Sequence, residues 1–360
     1  MIDDSDDPLE GWLRTGDLDE LLREVDRCCD RRDWVRLLRV RDRCRDTSRT
    51  GHQLWPVASW AEYRSALEAP ADVAAAVVEE GGGHLSIGPL TEVVAQHHRW
   101  VELDALLTHQ PTRGVVAHER AVRGDPDLGS DPALRASADD GGVPLVLAAW
   151  ERPYALADYR SDSARFPAPA LTALDRPLGG VPGRPEADGD DGTEALLAPV
   201  RHWSAGSSGQ VRACCVDGSA ADAVAALLES TAAPEEAGAC VPGTPLSGAA
   251  IELGEALTLL AWASASGAAH GRRRGAAAGR FDAWWAAAVL AGVDDDWPLD
   301  IGPAAAHLRW WRWGPVTGDV GWWCRLAVED PEDGLAWALE ATDRKRRSGP
   351  GDLSGSGAPR

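Results

Sequence analysis

The sequence predicts an α+β protein: an all-α N-terminal helical bundle or hairpin array, then a Pro/Gly-rich stretch, then a mixed α/β domain with a Trp-rich C-terminal β-hairpin. Three observations carry this reading. Apolar residues recur at i, i+3, i+4 spacing between capping signals over residues 8–123. Over 124–192 that periodicity fades, and Pro and Gly recur every few residues. Over 193–342 short alternating runs interleave with helical patterns. At about 150 residues per domain, 360 residues suit two domains. We therefore expect an all-α domain at 1–123, an inter-domain region at 124–192, a mixed domain at 193–342 and a disordered tail at 343–360.

In the first part, Pro8 suits a first helical position and Gly16 a C-terminal stop. Asp17 followed by Glu20 has the form of a capping box, and it opens a helix whose stripe is Leu18, Leu21, Leu22, Val25, Cys28 and Cys29. A third helix carries Trp34, Leu37, Leu38 and Cys44. A fourth is expected to open at Ser59, with Glu62 as capping partner, and to end at Pro70. A short helix follows over 71–80, Gly81 to Gly83 break the chain, Pro89 starts another helix, and 115–122 adds one more. Glu24-Val25 followed by Asp33-Trp34-Val35 resembles Glu92-Val93 followed by Arg99-Trp100-Val101. Two copies fall short of the roughly three a solenoid needs, so an irregular bundle is the better expectation.

In the last part, Leu196, Leu197 and Trp203 mark a helix, Val211–Val216 a strand, and Ser219 with Asp222 a capped helix. A strand over 249–253 and helices over 255–266 and 272–290 come next. Two Trp-rich strands, Leu308–Trp313 and Val320–Val328, precede a last helix expected to open at Asp330-Pro331 and to carry Leu335, Trp337 and Leu339.

Lys+Arg 36 against Asp+Glu 57 leaves a net charge of −21, a field that repels phosphate backbones and anionic bilayers. Nucleic acid and membrane are therefore not expected as partners. The 7 cysteines are odd in number, scattered, and include two adjacent pairs, which reads as reduced thiols in a cytoplasm. The acidic start lacks the basic region of a secretory signal, and no window offers the ~18 apolar residues of a membrane span. A cytoplasmic protein is expected.

Two stretches are candidate sites. At the junction of two helices stand His270, Arg272, Arg273, Arg274 and Arg280, a positive focus beside a helix N-terminus that would suit a phosphate or carboxylate. Against this, Gly271, Gly275 and Gly279 recur every fourth residue, as close helix packing requires, and the arginines have Asp294, Asp295 and Asp296 nearby in sequence to pair with. The packing reading is preferred, since neither G-x-x-x-x-G-K-[ST] nor a strand-led G-x-G-x-x-G is present. Second, Trp311, Trp313 and Trp323 share one strand face and would form an aromatic interaction surface if open, although a helix-covered sheet is the preferred reading.

No metal or cofactor is expected. His97-His98 lack the H-E-x-x-H spacing, His202 and His307 have no ligand-spaced neighbours, and the acidic run Glu186 to Asp191 does not match a calcium loop. Cys214-Cys215 lie in an apolar strand where thiols are poor nucleophiles.

Trp55 to Leu67, Ala261 to Gly292 and Leu326 to Asp343 resemble an uncharacterised conserved-hypothetical family of high-GC actinobacteria. The resemblance implies a bacterial intracellular protein and carries no activity or functional residue. Two functional expectations follow: a non-enzymatic interaction or regulatory protein whose partner is another protein, and, as the alternative, an enzyme or ligand-binding protein that recognises an anionic small molecule through residues 270–280.

Overall fold

The computed structural model describes residues 7–49, 51, 53–83, 85–130, 143–185, 191–229, 239–293, 301–318 and 321–344. Asp294 to Asp296, Val320, Glu186 to Asp190 and the tail beyond Arg344 lie outside the described residues. In chain order the helices are α1 (Pro8–Thr15), α2 (Leu18–Arg31), α3 (Trp34–Ser48), α4 (Trp55–Glu68), α5 (Ala71–Glu79), α6 (Leu90–His97), α7 (Trp100–Leu103), α8 (Gln110–Ala121), α9 (Asp191–Leu197), α10 (Arg201–Ala205), α11 (Ala220–Glu229), α12 (Leu253–Ala265), α13 (Ala276–Leu290) and α14 (Ile301–Ala304). The strands are β1 (Asp158–Tyr159), β2 (Ala164–Arg165), β3 (Arg176–Leu178), β4 (Arg184–Pro185), β5 (Gln210–Asp217), β6 (Leu246–Ile251), β7 (Arg309–Pro315), β8 (Trp322–Asp330) and β9 (Leu335–Asp343). The protein is thus α+β. Among the described residues, no helix is long and apolar enough to cross a membrane.

Two compact units form. One gathers Met1–Leu171, Leu253–Ser266 and Arg273–Ala305; the other gathers Thr172–Glu252, Gly267–Arg272 and Ala306–Arg360. Residues 143–171 and the α12–α13 hairpin therefore pack with the N-terminal helices.

In the helical unit, local chemistry sets the first helices. Asp7 accepts from the Leu9 N–H ahead of Pro8, and Gly16 closes α1 at φ 69. The side chains of Asp17 and Asp33 accept from the N–H groups of Glu20 and Arg36 at 3.1 Å each. α4 begins at Trp55, not at Ser59: Pro56 occupies its first turn, and Ser59 and Glu62 are interior positions. Glu62 is turned to Arg45 and the Gly83 N–H instead. The similarity between the stretches at 24–38 and 92–103 ends at α7, a four-residue turn where α3 has 15 residues.

α4 contributes to two cores. Leu9, Leu21, Val25, Leu37, Cys44 and Val57 fill one; Tyr63, Val77, Val93, Trp100, Val116 and Tyr159 fill the other. Burial pushes the thiols of Cys28, Cys29 and Cys44 up to about 11, 12 and 12, so they pack as small apolar groups. Further along, α12 is buried throughout, and α13 crosses it where a Cβ on Gly279 would lie 2.2 Å from the Ala261 carbonyl oxygen. The glycines at 271, 275 and 279 do not share one helical face, because α13 starts at Ala276.

The second unit is built on an antiparallel sheet in the order β3-β6-β7-β8-β9-β5-β4. Its outermost strands are two or three residues long, which blunts the edges. One face carries Val216, Trp313, Ala327, Ala336 and Ala338 against Val224, Leu227 and Leu228 of α11. Ser219 and Asp222 cap α11 reciprocally. The expected last helix is instead β9. Asp330-Pro331 opens a hairpin turn in which the Asp330 carboxylate accepts from the N–H groups of Glu332 and Asp333, and Gly334 returns the chain at φ 72. Asp-Pro suits a helix start and a turn equally, but Leu335, Trp337 and Leu339 alternate with period two, which is a strand pattern.

The packing at Gly279 makes a paired prediction. Gly279→Ala should lower stability by about 1–3 kcal/mol, because the methyl group has no space. Gly114→Ala, in α8 with nothing within 4 Å of the added carbon, should raise it by about 0.5–1 kcal/mol. Urea unfolding of both variants measures the two signs.

Candidate functional site

The arginines of the candidate anion site are each taken up by a carboxylate or lie apart, in line with the preferred packing reading. Arg273 directs Nε and Nη2 to the two oxygens of Glu92 at 2.7 Å each, and both side chains are buried. Arg280 grips Glu151 through Nε and Nη2 at 2.8 and 2.6 Å. Arg274 donates to Asp282 at 2.6 Å and to Ser264 at 2.9 Å. His270 and Arg272 are exposed and belong to the second unit. The α13 N-terminus is already capped, since Glu119 Oε1 accepts the Ala277 N–H at 2.9 Å.

Each tryptophan of the candidate surface carries a guanidinium. Trp313 is fully buried beneath α11, donates from Nε1 to the Leu326 carbonyl and lies under Arg325, so it offers no surface. Trp311 and Trp323 are half-buried, with Arg176 and Arg312 over their rings at 5.6 and 5.7 Å. Beside Trp313, Glu340 accepts from Arg325 at 2.6 Å, from Arg212 at 2.5 Å and from the Cys240 N–H at 3.0 Å.

Sequence reasoning passed over these carboxylates, although each is a charged residue within or beside an apolar pattern. Burial pushes the Glu92 carboxyl up, but the charge and hydrogen bonds of Arg273, with the Tyr159 hydroxyl, outweigh it and hold the group below its ordinary value. Glu151 and Glu340 are likewise held down, against burial, by Arg280 and by Arg325 with Arg212. Glu119 goes the other way: burial, then the Glu92 charge, push it up to about 7.

A concave feature of the helical unit is a cleft of about 930 Å³ where the C-terminal ends of α2, α4 and α6 meet the turn after β1. Its walls include Asp30, Arg32, Trp34, Arg64, Glu68, His97, His98, Asp158 and Arg160. Gln96 fixes the wall by bonding both backbone groups of Tyr159, at 2.7 and 2.9 Å. Arg64 is tied to Glu68 and to Asp26, and Arg160 to Asp158 at 2.9 Å. Arg32 closes α2 at φ 55, a conformation that usually falls to glycine. Burial lowers the pKa of His97 and His98, which disfavours their charged forms. The wall thiol, Cys29, is a poor nucleophile at about 12. Among the described residues, no group of three His, Cys, Asp or Glu is placed to hold a metal ion.

These features define an α+β protein with a helical unit riveted by buried arginine–carboxylate pairs, a polar cleft at three helix ends, and a sheet unit. The chain belongs to DUF6183, a family of unknown function whose model matches residues 19–345. No curated protein and no solved structure matches it.

Glu151→Gln should cost about 3–5 kcal/mol at pH 7, since it leaves the Arg280 charge buried without a counter-charge. A carboxyl held low contributes above about pH 4.5 and loses that contribution as pH falls. The stability gap between wild type and Glu151→Gln should therefore narrow on acidification, which thermal unfolding from pH 7 to pH 3 measures.

Proposed function

We propose that this protein is a non-enzymatic binding protein of the bacterial cytoplasm, whose helical unit holds a basic segment of a partner protein in the cleft. The carrying observation is the convergence of the C-terminal ends of α2, α4 and α6, beside the starts of α3 and α5, on one open, polar concavity. Helix C-termini present carbonyl oxygens and the negative end of the dipole, which favour N–H donors and cations. On the walls Asp30, Glu68 and Asp158 are matched by Arg32, Arg64 and Arg160, with Glu68 paired to Arg64 and Asp158 to Arg160, so the attraction for a cation rests on Asp30, the helix ends and the net charge of −21. A high-GC bacterial origin agrees with Lys345 being the only lysine.

The alternative, an anionic ligand at residues 270–280, has less support. Arg273, Arg274 and Arg280 are already bound to Glu92, Asp282 and Glu151.

An acetylated pentalysine peptide tests the reading by titration calorimetry at about 0.15 M salt. Asp30→Lys with Asp158→Lys should weaken binding more than tenfold. Asp46→Lys with Asp72→Lys, the same charge change on exposed positions away from the cleft, should weaken it far less. Equal losses would mean non-specific attraction and would overturn the assignment.

A further inference from the structure

Glu92 on α6, Glu119 on α8, Arg123 just past its end and Arg273 ahead of α13 form one largely buried cluster, with Tyr159 of β1 at its side. The two carboxylates are unequally served. Glu92 accepts two bonds from Arg273 and one from the Tyr159 hydroxyl at 2.6 Å. Glu119 accepts the Ala277 N–H on Oε1 at 2.9 Å and one bond from Arg123 on Oε2 at 3.0 Å. Arg123 also donates from the same Nη1 to the Glu119 backbone carbonyl at 2.7 Å, and from Nη2 to the Glu92 backbone carbonyl at 3.4 Å.

Carboxylates buried together oppose each other's ionisation, and the one with fewer donors takes the proton. His118, the neighbour of Glu119 in sequence, does not compete, because burial and then Arg280 push its pKa down to about 4. We infer that Glu119 is a proton-controlled latch at the N-terminus of α13. On the acid side, Oε2 carries the proton and the Arg123 guanidinium keeps only its backbone acceptors, the carbonyls of Glu119 and Glu92, while Oε1 keeps the helix cap. On the alkaline side, Oε2 is bare and paired with Arg123, and the cluster holds a second negative charge. The device joins α8 to the α12–α13 hairpin without involving the cleft.

The sign follows from linkage. The folded-state value of Glu119, about 7, lies above the ordinary 4.5, so its contribution to stability is full below about pH 4.5 and is lost as pH rises through about 7. Glu119→Gln keeps a cap acceptor and does not titrate. The melting temperature of wild type relative to Glu119→Gln should therefore fall by several degrees between pH 5 and pH 8. A difference that stays flat across that range overturns the latch. Carbon-13 NMR of the Glu119 side-chain carboxyl in the wild-type protein reads the same event without a variant: a titration midpoint within one unit of neutrality is expected, and one below pH 5 would overturn it.

Discussion

The bidentate pair between Arg273 and Glu92 is the contact on which the helical unit depends. It joins residues 181 apart in sequence and binds the α12–α13 hairpin to α6 with both side chains buried. Arg280 and Glu151 repeat the device across 129 residues, with Tyr154 and Trp284 also donating to the carboxylate. Such pairs add little net free energy over a well-packed apolar substitute, but they tolerate few alternative arrangements, because a mispaired buried charge is costly. The hairpin thus has one seat; Gly279 lets α13 close on α12, and Gly275 lets the hairpin backbone approach Glu119 of α8. Added Cβ atoms there would lie 2.2 Å from the Ala261 carbonyl oxygen and 2.6 Å from Glu119 Oε1.

The second unit uses the same chemistry. Glu340 of β9 sits between Arg325 of β8 and Arg212 of β5, its direct neighbours in the sheet register. Guanidinium groups are suited to this place: they are planar, always charged, and able to stack on rings while they bind a carboxylate edge-on. Arg325 over Trp313, Arg280 over Trp284 and Arg273 over Phe166 do both. The abundance of Arg and Trp, which as composition suggests ligand sites, is here spent largely on building cores.

Legibility in the sequence followed the range of the interaction. Capping at Asp17, the Gly16 stop and the reciprocal pair Ser219 and Asp222 are contained within a few residues, and their helices are where the sequence places them. The Ser59 start was misplaced because a box-like spacing inside a helix is indistinguishable from one at its end until Pro56 is weighed. β9 was missed because Asp330-Pro331 suits two structures, and the choice is made by pairing with β8 and β5. The same limit governs the site. Nothing local says that Arg273 finds Glu92 rather than a ligand, and the cleft unites ends of three helices with a turn whose residues lie up to about 130 positions apart.

The most direct test of this account is a double-mutant cycle at Glu92 and Arg273, using Glu92→Gln, Arg273→Met and the pair together, read by urea unfolding at pH 7. If the ion pair seats the hairpin, each single variant should lose about 3–5 kcal/mol. The pair should then lose less than the sum, by about 2 kcal/mol or more. Losses that add within about 0.5 kcal/mol would mean that the two residues act independently, and would contradict the central role given to their contact.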